Sequence, residues 1–334
     1  MILSNGRGET LKEDSSSIFF FSPSEREKSI IIKESAALSF SMALVFFLSY
    51  FLQTLFMGAG KLINKDLIYN DLFRELTVLI SYAVSMSVPF SLFGSYTKVP
   101  VKRALKSRKT DFKLTSACLC VALGVSVVGM FSSAAAGFIL SRLGIVFSVP
   151  VSYVPKSAWA FLIYFLNMTA VPAILEETAF RGFVMQSLRR FGDGFALFVS
   201  AFCFALLHVN PTRYPHTFIM GLAIGYFVLF TGSLKTGIII HFVYNAIITI
   251  MSIASELGFA ESAILSMAGQ AVMLAVSIPG LFYLLRNYRG MFTLRKGRSV
   301  NPSGVNIKVF LKSRGMIVLY VLILMMSLRS LVIQ

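Results

Sequence analysis

The chain has 334 residues, of which 56% are hydrophobic and 14% charged, with a formal net charge of +16 and a mean hydropathy of +0.76. Soluble domains carry roughly 25% charged residues, so a soluble globular fold is excluded. The basic residues sit in short loops between apolar runs, which excludes a nucleic-acid-binding surface and fits the Lys/Arg bias of cytoplasmic loops in membrane proteins.

Residues 1–34 read as a polar tail of mixed charge, with a serine run at Ser15-Ser16-Ser17 and no cleavable signal. A spanning helix needs about 20 apolar residues. Nine such stretches follow, at about 35–59, 76–97, 115–140, 157–190, 194–209, 216–231, 236–255, 261–285 and 315–333. The expected fold is all-α, a polytopic transmembrane helix bundle. Its eight-helix core occupies 35–285, a basic connector occupies 286–314, and an extra C-terminal span occupies 315–334. Cys118, Cys120 and Cys203 lie in apolar runs without a CxxC pair and read as small apolar fillers.

Charge in the loops gives an orientation. Segment 98–113 carries seven basic residues against Asp111 alone, and 286–314 carries eight and no acid. Arg189-Arg190 and Lys235 mark two further basic turns. With the N-terminus inside, all four basic turns fall inside by alternation.

Three polar clusters interrupt the apolar sequence: Glu176-Glu177 with Arg181, Phe204 with His208, and His241 with Asn245. An ionisable side chain at the bilayer centre costs at least ~2.5–3.5 kcal/mol on insertion scales, so such groups need a use. The fourth stretch, about 50 Å long at 1.5 Å per residue, ends in the turn Gly192-Asp193-Gly194. Glu176 precedes Gly192 by sixteen residues and His208 follows it by sixteen, which predicts similar depth in a helical hairpin. Pro172 predicts a kink before the glutamates. Glu177 and Arg181, four apart, share a helix face, while Glu176 points about 100° away. His241 and Asn245 form a polar stripe. His216, after Pro215, reads as a loop residue.

A buried glutamate can act as general base toward water, with a histidine orienting that water. A second histidine and an asparagine offer donors to a developing oxyanion. This set suits amide hydrolysis without a Ser or Cys nucleophile. The same atoms of Glu176, His208 and His241 can instead hold Zn²⁺. Two other classes use the same residues: an ion-coupled transporter with Glu176 and His208 as a proton relay, and a non-catalytic membrane adaptor or immunity protein.

The order EExxxR, FxxxH, HxxxN resembles the CPBP family of intramembrane proteases, which includes the type II CAAX prenyl endopeptidases and the Abi-type bacteriocin-processing or immunity proteins. The motifs span about 70 residues. The resemblance implies an endopeptidase acting on a membrane-associated or lipidated peptide or protein, with membrane lipids around it and a cavity open to the cytosol. It implies Glu176 as the base, His208 as its partner on water or metal, and His241 with Asn245 at the oxyanion. Glu177 and Arg181 would support the site. The N-terminal tail and the ninth span fall outside the shared core.

Overall fold

The computed structural model describes residues 22–147, 153–259, 261–288 and 290–332; the first part of the expected tail, 1–21, lies outside the described residues. Helix α1 runs Pro23–Ile63 and begins twelve residues before the expected tail ends. A capping box explains the early start. Ser22 Oγ accepts from Glu25 N, and the Glu25 carboxylate accepts from Ser22 N. At 41 residues the helix is about 60 Å long and exceeds a ~30 Å hydrocarbon core.

After a 3₁₀ turn at Lys65–Tyr69, α2 (Asp71–Tyr96) returns, followed by the single turn α3 (Val101–Ala104) and by α4 (Phe112–Arg142). The fourth apolar stretch is broken rather than straight. Helix α5 (Ala158–Met168) ends at Thr169, where φ is −124° and ψ −77°, and α6 (Ala170–Glu177) follows. Pro172 cannot donate to the Met168 carbonyl four residues back, which accounts for the break. A π-helical turn, Thr178–Val184, and the short α7 (Met185–Leu188) complete the stretch. Then come α8 (Asp193–Leu206), α9 (Tyr214–Thr231), α10 (Leu234–Glu256), α11 (Ser262–Asn287), α12 (Ser303–Leu311) and α13 (Arg314–Leu328). Among the described residues, the departures from all-α structure are a two-residue antiparallel pairing of β1 (Val146–Phe147) with β2 (Leu331–Val332) and an isolated antiparallel bridge between Ser107 and Ser233.

Among the described residues, seven segments are long and apolar enough to cross a membrane, and α12 with α13 make an eighth if their 56° bend is counted within one span. The expected nine spans are corrected accordingly. The stretch at 194–209 yields only the 14-residue α8, about 21 Å long and too short to cross. The ninth stretch is the second arm of the bent pair.

That C-terminal pair is part of the bundle. Ser35 and Ser313 share a hydrogen bond through their hydroxyls, and Gly315 sits where a Cβ would come 2.8 Å from the Ala36 Cα. Helices α4 and α11 also pack through small residues: a Cβ at Gly280 would lie 3.0 Å from the Ala117 carbonyl. Large apolar side chains such as Phe40, Phe131, Ile278 and Val318 face outward, as lipid-facing surfaces require.

The four basic turns lie at one end. Arg108 N donates to the Gly232 carbonyl and Leu234 N to the Lys106 carbonyl, both at 3.2 Å. Asp193 N donates to the Arg295 carbonyl at 3.0 Å, and Arg298 N to the Arg190 carbonyl at 2.9 Å. The β1–β2 pairing lies at the far ends of α4 and α13.

Candidate active site

The π-helical turn that follows Glu177 widens the backbone where Arg181 must turn inward, a feature often found at functional sites. Arg181 is fully buried. Its Nη1 donates to Glu177 Oε1 at 2.9 Å and its Nη2 to the Gly221 carbonyl at 3.0 Å. Its guanidinium lies 4.5 Å from the centroid of the Phe204 ring, a cation–π contact. Gly221 and Gly225, four apart on α9, provide the room. A Cβ on Gly225 would come 2.6 Å from Leu197 and 3.7 Å from Arg181 Nε.

Glu177 Oε1 serves a second donor, His241 Nδ1, at 2.9 Å. A carboxylate only accepts, so Nδ1 carries the proton and Nε2 is left for other chemistry. That Nε2 lies 3.9 Å from Glu176 Oε2. The other Glu176 oxygen, Oε1, accepts the hydroxyl of Tyr82 from α2. Glu176 Oε2 and Glu177 Oε2 are buried without a hydrogen-bond partner.

Phe204 is the hub of the second motif. Its ring meets those of His208 at 5.2 Å and His241 at 5.8 Å, both edge-on. His208 falls in the turn just after α8, and its Nδ1 faces the Phe204 carbonyl at 3.1 Å. The structure therefore brings His241, rather than His208, closest to Glu176. Among the described residues, Glu176 and His208 share no hydrogen bond or ion pair.

His208, His241 and Asn245 line a cavity of about 580 Å³ with apolar walls that include Met130, Met220, Ile224 and Ile248. Glu176, Glu177 and Arg181 stand behind its wall. The cavity also takes in residues the sequence did not single out as functional: Arg213, Tyr244 and Gln270. His216, expected in a loop, lies in the first turn of α9 and lines the same cavity, its ring 5.3 Å from that of Tyr244. The signal for it was available, because it is one of three histidines in the chain.

The expectation of Zn²⁺ on His208, Glu176 and His241 is not met by this geometry. Among the described residues, no group of three or more His, Cys, Asp or Glu side chains is placed to hold a metal ion.

Buried carboxylates ordered by a tyrosine, an arginine and an imidazole thus lie beside an apolar cavity in a bundle of membrane-spanning helices, the architecture of a multi-pass membrane protein. Residues 158–247 match the family described as Rce1-like, type II CAAX prenyl endopeptidase. Over those 90 of the 334 residues the chain is similar to the CAAX-type intramembrane endopeptidases. No curated protein and no solved structure matches the chain.

Proposed function

We propose that the chain hydrolyses a peptide bond in a membrane-associated or lipidated peptide or protein, using water activated by Glu176. The observation that carries this reading is the double use of Glu177 Oε1. It binds Arg181 and His241 Nδ1 at 2.9 Å each, and so sets His241 Nε2 beside Glu176 Oε2 at the cavity wall.

In this mechanism Glu176 Oε2 takes a proton from water as its oxygen bonds to the scissile carbonyl carbon. Charge builds on the carbonyl oxygen, where Asn245, one turn from His241 on α10, supplies a donor through Nδ2, and His241 supplies one through Nε2 in its doubly protonated form, with Nδ1 still donating to Glu177. The proton held by Glu176 passes to the amine as the C–N bond breaks. His208, hydrogen-bonded through Nδ1 to its own helix, presents Nε2 as a second group to orient the water. The apolar walls suit an apolar peptide or a lipid-bearing chain, and Arg213 at the exposed rim suits its anionic end. Peptide maturation and bacteriocin self-immunity are settings the resemblance suggests.

The proposed orientation puts the N-terminus and the basic face in the cytosol. Counting from that face, Asn245 lies about 16 Å along α10 and Gln270 roughly 25 Å along α11. These distances support an opening in the half of the bundle away from the basic turns, as the alternative to the cytosolic opening that the resemblance implies. Labelling of Arg213→Cys from either side of sealed vesicles distinguishes the two openings.

The test of the reaction is cleavage of membrane-anchored peptides by the purified chain in nanodiscs. Wild type should cut them. Glu176→Gln and His208→Ala should lose cleavage while remaining folded, with or without a chelator. Full activity in Glu176→Gln would remove the base from the mechanism.

A further inference from the structure

A second, smaller cavity of about 150 Å³ opens on the basic face, behind the ion pair of the candidate active site. Its walls include Lys106, Arg108, Gln186 and Arg189, and Arg181 closes its floor. None of the lining residues is acidic.

Positive-inside bias explains why these residues are basic. It does not explain why cations from two segments, loop 105–108 and stretch 181–189, converge on one volume. The backbone builds that convergence. Arg108 N and the Gly232 carbonyl, and Leu234 N and the Lys106 carbonyl, tie loop 105–108 to the α9–α10 turn. Lys235 N adds a bond to Ser107 Oγ at 3.1 Å. Gly232 adopts a left-handed φ of +65°, and the Arg108 side chain lies across it, 3.0 Å from where a Cβ would stand.

Two of the four cations are already engaged. Arg189 donates to both oxygens of Asp193, and Arg181 to Glu177. Lys106 and Arg108 have no ion pair among the described residues. Among the described residues, Arg181 Nε, in a fully buried side chain, has no hydrogen-bond partner. The site thus has two cations without an ion pair, Lys106 and Arg108, set over a floor formed by Arg181, with the Gln186 amide in its wall bonded to the Arg181 carbonyl and to Arg189.

We propose that this pocket binds a single phosphoryl anion, presented by a lipid headgroup or as free phosphate. Guanidinium and ammonium groups match phosphate oxygens in charge and geometry, and basic pockets between membrane helices hold lipid headgroups. The cavity volume of about 150 Å³ accommodates a phosphoryl group.

The test measures binding to the full chain in neutral detergent by titration calorimetry. The probes are inorganic phosphate, short-chain phosphatidylglycerol and short-chain phosphatidylcholine. The variants are Lys106→Gln/Arg108→Gln and, as a matched loss of charge flanking that loop and outside the pocket, Lys102→Gln/Lys109→Gln. The expected result is saturable binding that weakens at least tenfold in the first variant and less than twofold in the second. Saturation by inorganic phosphate assigns a free ion; saturation by phosphatidylglycerol without inorganic phosphate or phosphatidylcholine assigns a headgroup. Either supports the site. Equal weakening in both variants would mean diffuse surface attraction and overturn it, as would no saturable binding of any probe to wild type. Peptide cleavage is not the readout, so the result stands apart from the proposed reaction.

Discussion

The Tyr82 hydroxyl donates to Glu176 Oε1 across the α2–α6 contact, leaving Oε2 as the oxygen that faces His241. Tyr82 therefore fixes which glutamate oxygen is available and at what angle. Tyr82→Phe keeps the ring and removes only the donor. The expected outcome is a fall in kcat of about tenfold, equivalent to about 1.4 kcal/mol of barrier, with KM changed less than twofold. Steady-state kinetics on a cleaved peptide measures both. An unchanged kcat would reduce Tyr82 to a packing residue.

The fully buried Glu177–Arg181 pair should matter to folding as well as to chemistry. Removing one partner leaves an uncompensated charge, which typically costs about 3–5 kcal/mol. Arg181→Met should lower the thermal midpoint in detergent markedly. Glu177→Leu/Arg181→Met should recover part of that loss, because replacing a whole buried pair is often near neutral. Cleavage should stay lost in the double variant, since His241 no longer has the carboxylate that sets its tautomer. Recovery of cleavage along with stability would separate Glu177 from the reaction.

Gly237 lies one turn before His241 on α10. A Cβ there would meet Val228 Cγ2 at 2.6 Å and Glu177 Oε2 at 3.2 Å. Gly237→Ala should push α10 away from Glu177 and lengthen the Glu177–His241 bond. Overpacking of this kind costs typically 1–3 kcal/mol, and activity should drop with it. Val228→Ala in the same chain removes the closest clash and should restore most of the stability. If the double variant is no more stable than Gly237→Ala, the contact with Val228 is not the limiting one.

The parts of the site legible in sequence are those set by local spacing. Glu177 and Arg181 share one helical face, and His241 and Asn245 another, so intervals of four residues sufficed. Equal counts from Gly192 gave Glu176 and His208 similar depth, but depth does not set direction. Helix α8 ends at Leu206, so His208 falls in a turn and bonds back to Phe204, and His241 comes nearest Glu176 instead. Tyr82 comes from a helix about 95 positions away in the chain, and no local pattern announces that contact. Hydropathy reads composition rather than helix length, which is why the short α8 passed as a span. The early start of α1 was hidden by its charges. Glu34 looked like part of a polar tail, whereas in the fold it pairs with Arg190.

Glu27, near the start of α1, explains how the connector is held. Its carboxylate accepts from Ser299 Oγ at 2.6 Å, Val300 N at 2.8 Å, Asn301 N at 3.3 Å and Asn306 Nδ2 at 2.8 Å. One side chain thus satisfies two backbone N–H groups of the loop and anchors α12 to α1. Glu27→Ala leaves those donors unpaired, at about 1–3 kcal/mol for each group that stays buried. Much of that cost is avoided if the loop moves out into water. The expected outcome is local release: faster amide exchange across 299–306 with little change in α8 or α10. Hydrogen exchange on the full chain resolves this segment by segment. Peptide cleavage should hold within about twofold, because Glu27 touches no residue around Glu176 or His241. Protection that stays at the wild-type level across 299–306 would mean that the α12–α13 contacts with α1 hold the connector without Glu27.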